Sequence, residues 1–451
     1  MEEKRRKKAA FHNLGCKVNS YETEAMEQQL VRAGYEIVPF APGADVYVIN
    51  TCSVTNIADR KSRQMLHRAK KMNPDAVVVA AGCYVQTAVE RTGLAVEADI
   101  ILGNNKKKDL AEALAEYEAE RADQRAVSHI IDINHTGEYE NMPISYSGER
   151  TRADIKVQDG CNQFCSYCII PYARGRARSR SPQEVSAELE RLAENGVKEV
   201  VLTGIHLSSY GQDLGTSLLE LIRQVHGIQG IRRIRLGSLE PGIISEEFAD
   251  SLSKLEKVCP HFHLSLQSGC DTVLRRMNRR YTAGEYAEKC GILRKYFDHP
   301  ALTTDVIVGF PGETGEEFQE TVEFLKKIRL YETHVFKYSR RKGTRAAEMP
   351  DQIPEQEKGR RSDCLLELNR ENKAAFLKEW TGRECEVLFE EKITLEGRDY
   401  FAGYTKEYIR AVMPGDTSVE NQILAGRLRP LAGEPDFLLF DPVGKHEKKD
   451  C

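Results

Sequence analysis

The chain has 451 residues, which at about 100 to 200 residues per domain is the length of two to four domains and excludes a small disulfide scaffold. Charged residues make up 30% and hydrophobic residues 41%, a composition that excludes a disordered or collagen-like chain. Because the formal net charge is −4, any nucleic-acid partner must be held by local basic clusters. The unusual feature of this composition is its 12 cysteines.

The amino-terminal sequence MEEKRRKKAA is charged and lacks the apolar core of a signal peptide. The longest apolar runs, such as residues 76–81, are far shorter than the roughly 20 residues of a membrane-spanning helix. We therefore expect a cytoplasmic protein without a membrane partner. In a reducing cytosol, clustered cysteines favour metal or catalytic sites over disulfides.

Residues 8–115 alternate short apolar runs with amphipathic stretches, which predicts a βαβ domain with an open parallel sheet. The predicted strands cover residues 46–50 and 76–82, and the predicted helices cover residues 20–33 and 57–72. Cys16, Cys52 and Cys83 each directly follow a strand-like run. Because the carboxyl ends of parallel strands share one edge, these thiols can converge there, with buried apolar cysteines as an equal alternative.

After this domain the composition shifts to charged and small residues, and we expect a linker over residues 116–150 that is exposed from about residue 135. Six strand-like runs separated by amphipathic stretches then predict a partial (βα)6 barrel over residues 151–353. The predicted strands cover residues 153–158, 199–203, 234–238, 262–267, 304–309 and 334–338. Functional residues of such a barrel lie at the carboxyl ends of its strands.

The last part of the chain predicts a helix followed by a separate all-β unit. Residues 354–381 indicate a long charged helix that leaves the barrel. Residues 382–441 form short alternating runs separated by Gly, Pro and Asp, which predicts a small all-β barrel of the OB type or a related type. The tail HEKKDC is expected to be frayed.

The strongest motif is QDGCNQFCSYCIIP, which places Cys161, Cys165 and Cys168 in the spacing CxxxCxxC. Three thiolates can hold three corners of a 4Fe–4S cube and leave one iron open to a chelating small molecule. This spacing, with Tyr167 directly before the third cysteine, resembles the radical S-adenosylmethionine (SAM) superfamily, in which SAM occupies the open iron. A zinc site is the alternative, and it would need a fourth ligand close by.

Segments at the ends of the other predicted strands supply candidates for the SAM pocket. The backbone of Thr203 and Gly204 would bind the SAM amine, and the polar groups of Ser238 and Glu240 would bind its carboxylate or ribose. Residues 307–310 would form an apolar surface for the adenine. Turns and helix caps are the alternative for any single residue. The candidates for cofactor contact are Tyr167, Thr203, Gly204, Ser238, Glu240, Ile307, Gly309 and Phe310.

Seven motifs spread over nearly the whole chain together resemble the radical SAM methylthiotransferases: HNLGCKVNSYET, INTCSVT, AAGCYVQ, the CxxxCxxC segment through YARGRARSR, SLQSGCDTVLRRMNRRY, DVIVGFPGET and FKYSRRKGTRAA. This resemblance implies that Cys16, Cys52 and Cys83 bind a second 4Fe–4S cluster, and that the terminal module is an RNA-binding TRAM domain. Within the family, LGCKVNSYET is most similar to the branch that acts on N6-threonylcarbamoyladenosine beside the tRNA anticodon.

Local basic clusters follow the cysteine loop and two other predicted strand ends, where they could form a track for RNA phosphates. A solvated charged face is the alternative for any one cluster. Tyr172 adds a possible stacking surface for an unpaired base. The candidates for RNA contact are Arg174, Arg176, Arg178, Arg180, Arg275, Arg276, Arg279, Arg280, Arg340, Arg341, Lys342 and Arg345.

The resemblance implies an enzyme that replaces the hydrogen on carbon 2 of the modified adenine with a methylthio group, using two 4Fe–4S clusters and two SAM molecules per turnover. Its expected partners are the tRNA anticodon loop, a sulfur donor and an electron donor, and not DNA. The same chemistry on isopentenyladenosine in tRNA or on a ribosomal-protein aspartate is one alternative. A noncatalytic iron–sulfur protein that binds RNA or senses redox state is another. The remaining six cysteines and the histidines receive no role.

Overall fold

The computed structural model describes residues 5–92, 96–119, 126–147, 151–415 and 418–443. The predicted frayed tail and Cys451 lie outside these residues. Within them, no helix is long and apolar enough to cross a membrane.

The amino-terminal part is a six-stranded parallel sheet in the order β2-β1-β3-β4-β5-β6, which confirms the predicted open parallel sheet. Helices α1 and α4 pack on one face of the sheet, and α2 and α3 on the other, so that its central strands are buried on both sides. The elements are β1 (Lys8–Asn13), α1 (Lys17–Arg32), β2 (Glu36–Val38), β3 (Val46–Thr51), α2 (Asn56–Met72), β4 (Val77–Gly82), α3 (Cys83–Thr87), β5 (Ile100–Leu102), α4 (Leu110–Ala119) and β6 (Val127–His129).

The segment predicted to be an exposed linker is largely built into the fold, so that prediction is wrong for most of its described residues. Strand β6 pairs with β5 and completes the sheet. Ile144 is fully buried, and its backbone N–H donates to Glu188 at 2.6 Å. The Tyr21 hydroxyl donates to the carbonyl of Met142 at 2.9 Å. The polar composition of this segment reflects hydrogen bonding between two domains rather than exposure to solvent.

The central part is a partial parallel barrel, as predicted. Strands β10, β9 and β7 form one sheet, β11, β12 and β13 form another, and isolated bridges such as Leu239 to Leu264 join β10 to β11. In the described residues β7 and β13 do not pair, so the barrel is open along one side. The strands are β7 (Arg152–Asp159), β8 (Arg178–Ser179), β9 (Glu199–Gly204), β10 (Arg233–Leu236), β11 (His261–His263), β12 (Ala301–Val308) and β13 (Glu332–Lys337).

The helices of the barrel cover its outer face. Alternate strand residues such as Leu202, Leu264 and Val306 point outward into one large apolar core with these helices. Their neighbours in sequence point into the lumen. The helices are α5 (Ile170–Arg174), α6 (Pro182–Glu194), α7 (Leu218–His226), α8 (Glu246–Ser253), α9 (Asp271–Arg276), α10 (Ala283–Tyr296) and α11 (Gly315–Ile328).

A long helix, α12 (Glu355–Trp380), leads to a closed five-stranded barrel in the order β14-β15-β16-β18-β17. This confirms the small all-β barrel expected from the alternating runs, and adds a fifth strand that the sequence did not signal. The strands are β14 (Glu384–Leu395), β15 (Arg398–Thr405), β16 (Arg410–Pro414), β17 (Ile423–Pro430) and β18 (Leu438–Pro442).

This small barrel closes the bottom of the large one, where the strands begin. Arg233 donates to the carbonyls of Glu386 and Tyr404, each at 2.8 Å. Arg235 donates to the carbonyl of Lys406 at 2.9 Å, and its guanidinium lies 4.6 Å from the ring centroid of Tyr408. The lumen is therefore accessible from its top and its open side.

Candidate active site

The first cysteine triad lies in the loop that follows β7, at the top of the barrel. Cys161, Cys165 and Cys168 are all partly buried, and each interacts electrostatically with at least one other member of the triad. Gly160 permits the sharp turn into this loop, because its φ is +70° and an added Cβ would lie 1.9 Å from the carbonyl oxygen of Arg176. The backbone N–H of Cys161 then donates to the carbonyl of Gly175 at 3.0 Å.

The arrangement of the three thiols fits an iron–sulfur cube better than a single ion. Zinc–sulfur bonds are about 2.3 Å long, so thiolates on one zinc ion lie close together. Among the described residues, only His263, Asp305 and His334 form a group whose ligand atoms all lie within 4.8 Å of one another. Neither cysteine triad forms such a close group among the described residues, which is unlike the arrangement of thiolates on one zinc ion.

Burial makes the thiols poor acids until a metal binds. It raises the pKa of Cys161 to about 11 and that of Cys168 to about 12. The Arg279 guanidinium donates to the Cys165 Sγ at 3.2 Å and pairs with Glu240 at 3.2 Å. A fixed cation beside the loop therefore favours the thiolate forms that metal binding requires. Since Arg279 is buried in these contacts, its predicted role in RNA contact is wrong.

The second triad lies at the top edge of the amino-terminal sheet, where the predicted convergence occurs. Cys16 precedes α1, Cys52 follows β3, and Cys83 begins α3 directly after β4. Cys52 interacts electrostatically with both other thiols, and burial raises its pKa to about 11. The fold therefore brings these three thiols together at one edge of the sheet.

The two triads share the same neighbourhood. The Asn104 side-chain amide donates to the Cys83 Sγ at 3.4 Å and to the carbonyl of Ala173 at 2.7 Å. Ala173 belongs to α5, which begins two residues after Cys168. Helix α5 also contacts α3, which Cys83 begins. The fold thus brings both triads to the mouth of the barrel, beside its open side.

A buried ion cluster joins the two domains beneath the second triad. The Arg174 guanidinium forms two hydrogen bonds with Glu22, at 2.9 and 3.0 Å, and contacts Asp159 at 3.0 and 3.1 Å. Lys156 contacts Glu22 at 2.7 Å, and Lys107 pairs with the same carboxylate. All five side chains are almost completely buried.

These contacts change how the RGRARSR segment is interpreted. Arg174 is 0% exposed and committed to Glu22 and Asp159. Arg178 is also buried, and donates to the carbonyl of Arg174 at 3.0 Å. Arg180 is buried against Glu188. The prediction that these three arginines contact RNA is wrong, because the alternating pattern belongs to the domain interface; only Arg176 is exposed.

The polar candidates for the SAM pocket lie around the first triad. Thr203 and Gly204 end β9, and Ser238 is exposed just after β10. Glu240 accepts hydrogen bonds from Gln163 at 3.0 Å and from His206 at 2.8 Å. Against the effect of burial, His206 and the charge of Arg279 hold the pKa of Glu240 below its ordinary value.

Gln163 and His206 belong to no sequence motif that would mark them as functional, apart from their position near the mouth. Gln163 lies inside the cysteine loop, and His206 follows β9. Their contacts with Glu240 make the pocket a connected hydrogen-bond network, a feature that only the three-dimensional arrangement shows.

Of the apolar candidates for SAM contact, some are buried in the core and others are partly exposed. Phe310 is 0% exposed and packs edge-on against Tyr167, with ring centroids 6.3 Å apart. Its predicted contact with adenine is therefore wrong: it supports Tyr167 from below. Gly309 is required by packing, since an added Cβ would lie 2.3 Å from the Lys358 side chain. Ile307 and Tyr167 remain partly exposed beside the cysteine loop.

Of the other basic candidates, most are exposed around the mouth and two are not free to contact RNA. Arg341 is buried against Asp59 and Ser53 of the amino-terminal domain, so its predicted RNA contact is wrong. Arg276 is paired with Glu317. Arg176 stacks over Phe164 at 4.6 Å, next to Tyr172. The exposed residues are Arg176, Arg275, Arg280, Arg340, Lys342 and Arg345.

Comparison with known proteins agrees with this architecture. Residues 155–325 match the radical SAM superfamily, and residues 8–103 match a family described as Uncharacterized protein family UPF0004. The chain resembles the radical SAM methyltransferase TsrM from Kitasatospora setae with a TM-score of 0.53 and 17% identity, over 74% of this chain and 72% of that one. The fold and the cysteine loop thus define a radical SAM enzyme, a class that uses SAM and a 4Fe–4S cluster.

Relatives with higher sequence identity show to which family of radical SAM enzymes the chain belongs. The chain is 41% identical over 92% of both chains to a Bacillus subtilis protein named threonylcarbamoyladenosine tRNA methylthiotransferase MtaB. It is 41% identical to the Aquifex aeolicus protein of the same name, over 87% of this chain and 95% of that one. A Moorella thermoacetica protein named tRNA-2-methylthio-N(6)-dimethylallyladenosine synthase is 35% identical, over 94% and 96%. The chain belongs to the radical SAM methylthiotransferase family.

Proposed function

We propose that this enzyme adds a methylthio group to carbon 2 of N6-threonylcarbamoyladenosine in tRNA. The observation that carries the proposal is the convergence of two cysteine triads at one barrel mouth, joined through Asn104. One triad serves radical formation and the other serves sulfur insertion, which a methyltransferase without sulfur chemistry would not need. The substrate is inferred from the names of the Bacillus subtilis and Aquifex aeolicus relatives.

In this proposal Cys161, Cys165 and Cys168 hold the first 4Fe–4S cluster, and Cys16, Cys52 and Cys83 hold a second one. When bound, the clusters and two SAM molecules supply the radical that removes the inert hydrogen and the methylated sulfur that replaces it. The work of the chain is to position these groups. Glu240, Thr203 and the Gly204 backbone would orient SAM. The buried ion cluster around Glu22 would fix the position of the second triad relative to the first, because it joins their two domains.

The exposed basic residues and the small carboxyl-terminal barrel would bind the anticodon arm. The adenosine must leave its stack to enter the lumen, which costs less in a single-stranded loop than in a duplex. The six exposed basic residues follow the cysteine loop, β11 and β13, which all end at the mouth. The small barrel closes the opposite end, so the substrate base enters from the mouth or the open side.

Neutralising part of this basic surface is expected to weaken tRNA binding in a salt-dependent way. In the variant Arg176→Gln/Arg280→Gln/Lys342→Gln, each lost phosphate contact should reduce the slope of log affinity against log salt by about 0.7 to 0.9. Fluorescence anisotropy with labelled tRNA at several salt concentrations measures this slope. Arg191→Gln, on the exposed face of α6, is the matched control and should leave it unchanged. An unchanged slope in the triple variant would remove these residues from the RNA surface.

Reconstituted enzyme distinguishes the possible nucleoside substrates directly. It is incubated with SAM, reductant, sulfide and one of three anticodon stem–loops, which carry threonylcarbamoyladenosine, isopentenyladenosine or unmodified adenosine. Mass spectrometry of the digested RNA should find a methylthio group only on the threonylcarbamoyl nucleoside. Modification of the isopentenyl RNA alone would instead assign the activity named for the Moorella relative. No modification of any RNA, despite SAM cleavage, would contradict the proposal.

A further inference from the structure

The lumen of the barrel contains a polar chamber that neither triad nor the SAM pocket uses. On β11 and β12 the residues next to the outward core side chains point inward, and they include His263 and Asp305. On β13 the inward residue at the same level is His334, which pairs in register with Asp305. Lys17 and Asp154 complete what we call the polar chamber: Lys17, Asp154, His263, Asp305 and His334.

The two histidines and Asp305 form a close group. The His263 Nε2 lies 3.4 Å from an Asp305 carboxylate oxygen, without making a hydrogen bond, and is buried with no hydrogen-bond partner in the described residues. Its Nδ1 is engaged by the Thr303 hydroxyl at 3.0 Å, which fixes the ring. The rings of His263 and His334 stack 5.7 Å apart at an angle of 20°. The His263 Nε2 therefore has Asp305 as an ion-pair neighbour and keeps its hydrogen-bonding capacity for a ligand.

Lys17 links this chamber to the second triad. It directly follows Cys16 at the start of α1, the helix that packs against β7 along the open side. Its ammonium interacts with the charges of Asp154, Arg152, Arg235 and Glu199, all on inward positions of the barrel. Its charge also acts on His261, as do the charges of His263 and His334. Arg152 and Arg235 are both paired with Glu199, whereas the Lys17 side chain forms no hydrogen bond or ion pair with the described residues.

An aromatic side chain on the same wall can hold a purine. Phe336 lies two residues after His334 on β13, hence on the same inward face, and is 52% exposed. Exposed aromatic faces are the usual stacking partners of unpaired bases. Strand β13 therefore presents an aromatic ring, Phe336, near the mouth and a polar side chain, His334, two residues deeper in the lumen.

We propose that Lys17, His263 and His334 form the subsite for the carboxylate and hydroxyl of the threonyl group on the substrate adenine. This inference rests on the function proposed above and deepens it. A threonylcarbamoyl group presents a carboxylate for Lys17 and hydrogen-bonding groups for the two imidazoles. An isopentenyl group would leave the same polar side chains unpaired, which costs more than the apolar contact returns. The ligand atoms of His263, Asp305 and His334 lie within 4.8 Å of one another, so a metal ion is the competing occupant that the test must separate.

Binding of four stem–loop RNAs to the reconstituted enzyme tests the subsite. They carry threonylcarbamoyladenosine, its neutral methyl ester, isopentenyladenosine or unmodified adenosine. Wild-type enzyme should bind the free acid about ten to a hundred times more tightly than the ester, the range for a hydrogen bond to a charged group. Lys17→Met and His334→Leu should each reduce that preference to about threefold or less, by raising KM for the acid and leaving kcat largely unchanged. His334→Gln, which keeps a donor, should restore part of it.

Iron content and SAM cleavage confirm that each variant is folded and loaded, and Lys61→Met on the exposed side of α2 is the matched control. Variants that are loaded and still prefer the acid would overturn the subsite while the proposed function stands. A wild-type enzyme that does not distinguish acid from ester would also overturn it. Turnover of the isopentenyl RNA alone would overturn both. A bound metal ion, in addition to cluster iron, that is lost in His334→Leu would replace the subsite with a metal site.

Discussion

Replacing any one of Cys161, Cys165 and Cys168 with alanine is expected to reduce SAM cleavage to background. Two thiols cannot hold the cluster that leaves a single iron open for SAM, so the reaction loses its first step. Reconstitution without oxygen, followed by iron analysis and chromatographic detection of 5′-deoxyadenosine, measures both consequences. Wild-type protein should contain about eight irons per chain, and a variant lacking the first triad about four.

The second triad provides the complementary result. Changing Cys16, Cys52 and Cys83 together to alanine should also leave about four irons, while SAM cleavage survives and methylthio transfer to RNA is lost. Cys364→Ala, at an exposed cysteine of α12, is the control and should retain both clusters and both activities. Loss of all iron in the second-triad variant would show that the two sites are not independent.

Replacing Glu22 with glutamine is expected to lower the free energy of unfolding by about 3–5 kcal/mol, because it removes the carboxylate that pairs directly with three buried cations. Those cations are Arg174, Lys107 and Lys156, of which Arg174 and Lys156 also pair with Asp159. Denaturant titration of the wild-type and variant proteins measures the difference. Glu112→Gln, on the exposed side of α4, removes a charge from the same domain and should change stability by less than about 0.5 kcal/mol.

The free energy of unfolding that is lost in Glu22→Gln should decrease as the pH falls. Against the effect of burial, Arg174, Lys107 and Lys156 hold the pKa of Glu22 well below its ordinary value. Its contribution to stability is therefore present above the pKa of an unfolded glutamate, about 4.3, and is lost as the pH falls toward the folded-state pKa. The gap between wild type and Glu22→Gln should shrink in that acid range. A gap that is constant with pH, or a loss no larger than that of Glu112→Gln, would contradict the role of the ion cluster.

Much of the fold followed from periodicity, because buried parallel strands are continuous apolar runs. Strand β4 lies at residues 77–82 where residues 76–82 were predicted, and β9 lies at residues 199–204 where residues 199–203 were predicted. The grouping of six cysteines into two triads could also be predicted, since each follows a strand or lies in a compact motif. Strand β6 could not, because it has only three residues, of which Val127 alone is apolar, and so short a run shows no periodicity.

The burial of the basic residues could not be predicted from the sequence. Arg174 and Arg176 are two residues apart in one motif, yet the first is buried against Glu22 and the second is exposed over Phe164. Nothing local separates them, because the partner of Arg174 is 152 residues away in the chain. His263 and His334 are likewise unremarkable alone, and become a candidate subsite only because β11 and β13 flank β12 and place the two rings 5.7 Å apart.

The tRNA of a strain that lacks this protein shows directly which nucleoside the enzyme modifies. Liquid chromatography and mass spectrometry of total tRNA nucleosides should find N6-threonylcarbamoyladenosine without its methylthio group. The methylthio form of isopentenyladenosine, where the parent strain makes it, should persist. Re-expression of the wild-type chain should restore the missing mark, and re-expression of Cys161→Ala should not. Persistence of the methylthio group on threonylcarbamoyladenosine in the deletion strain would contradict the account.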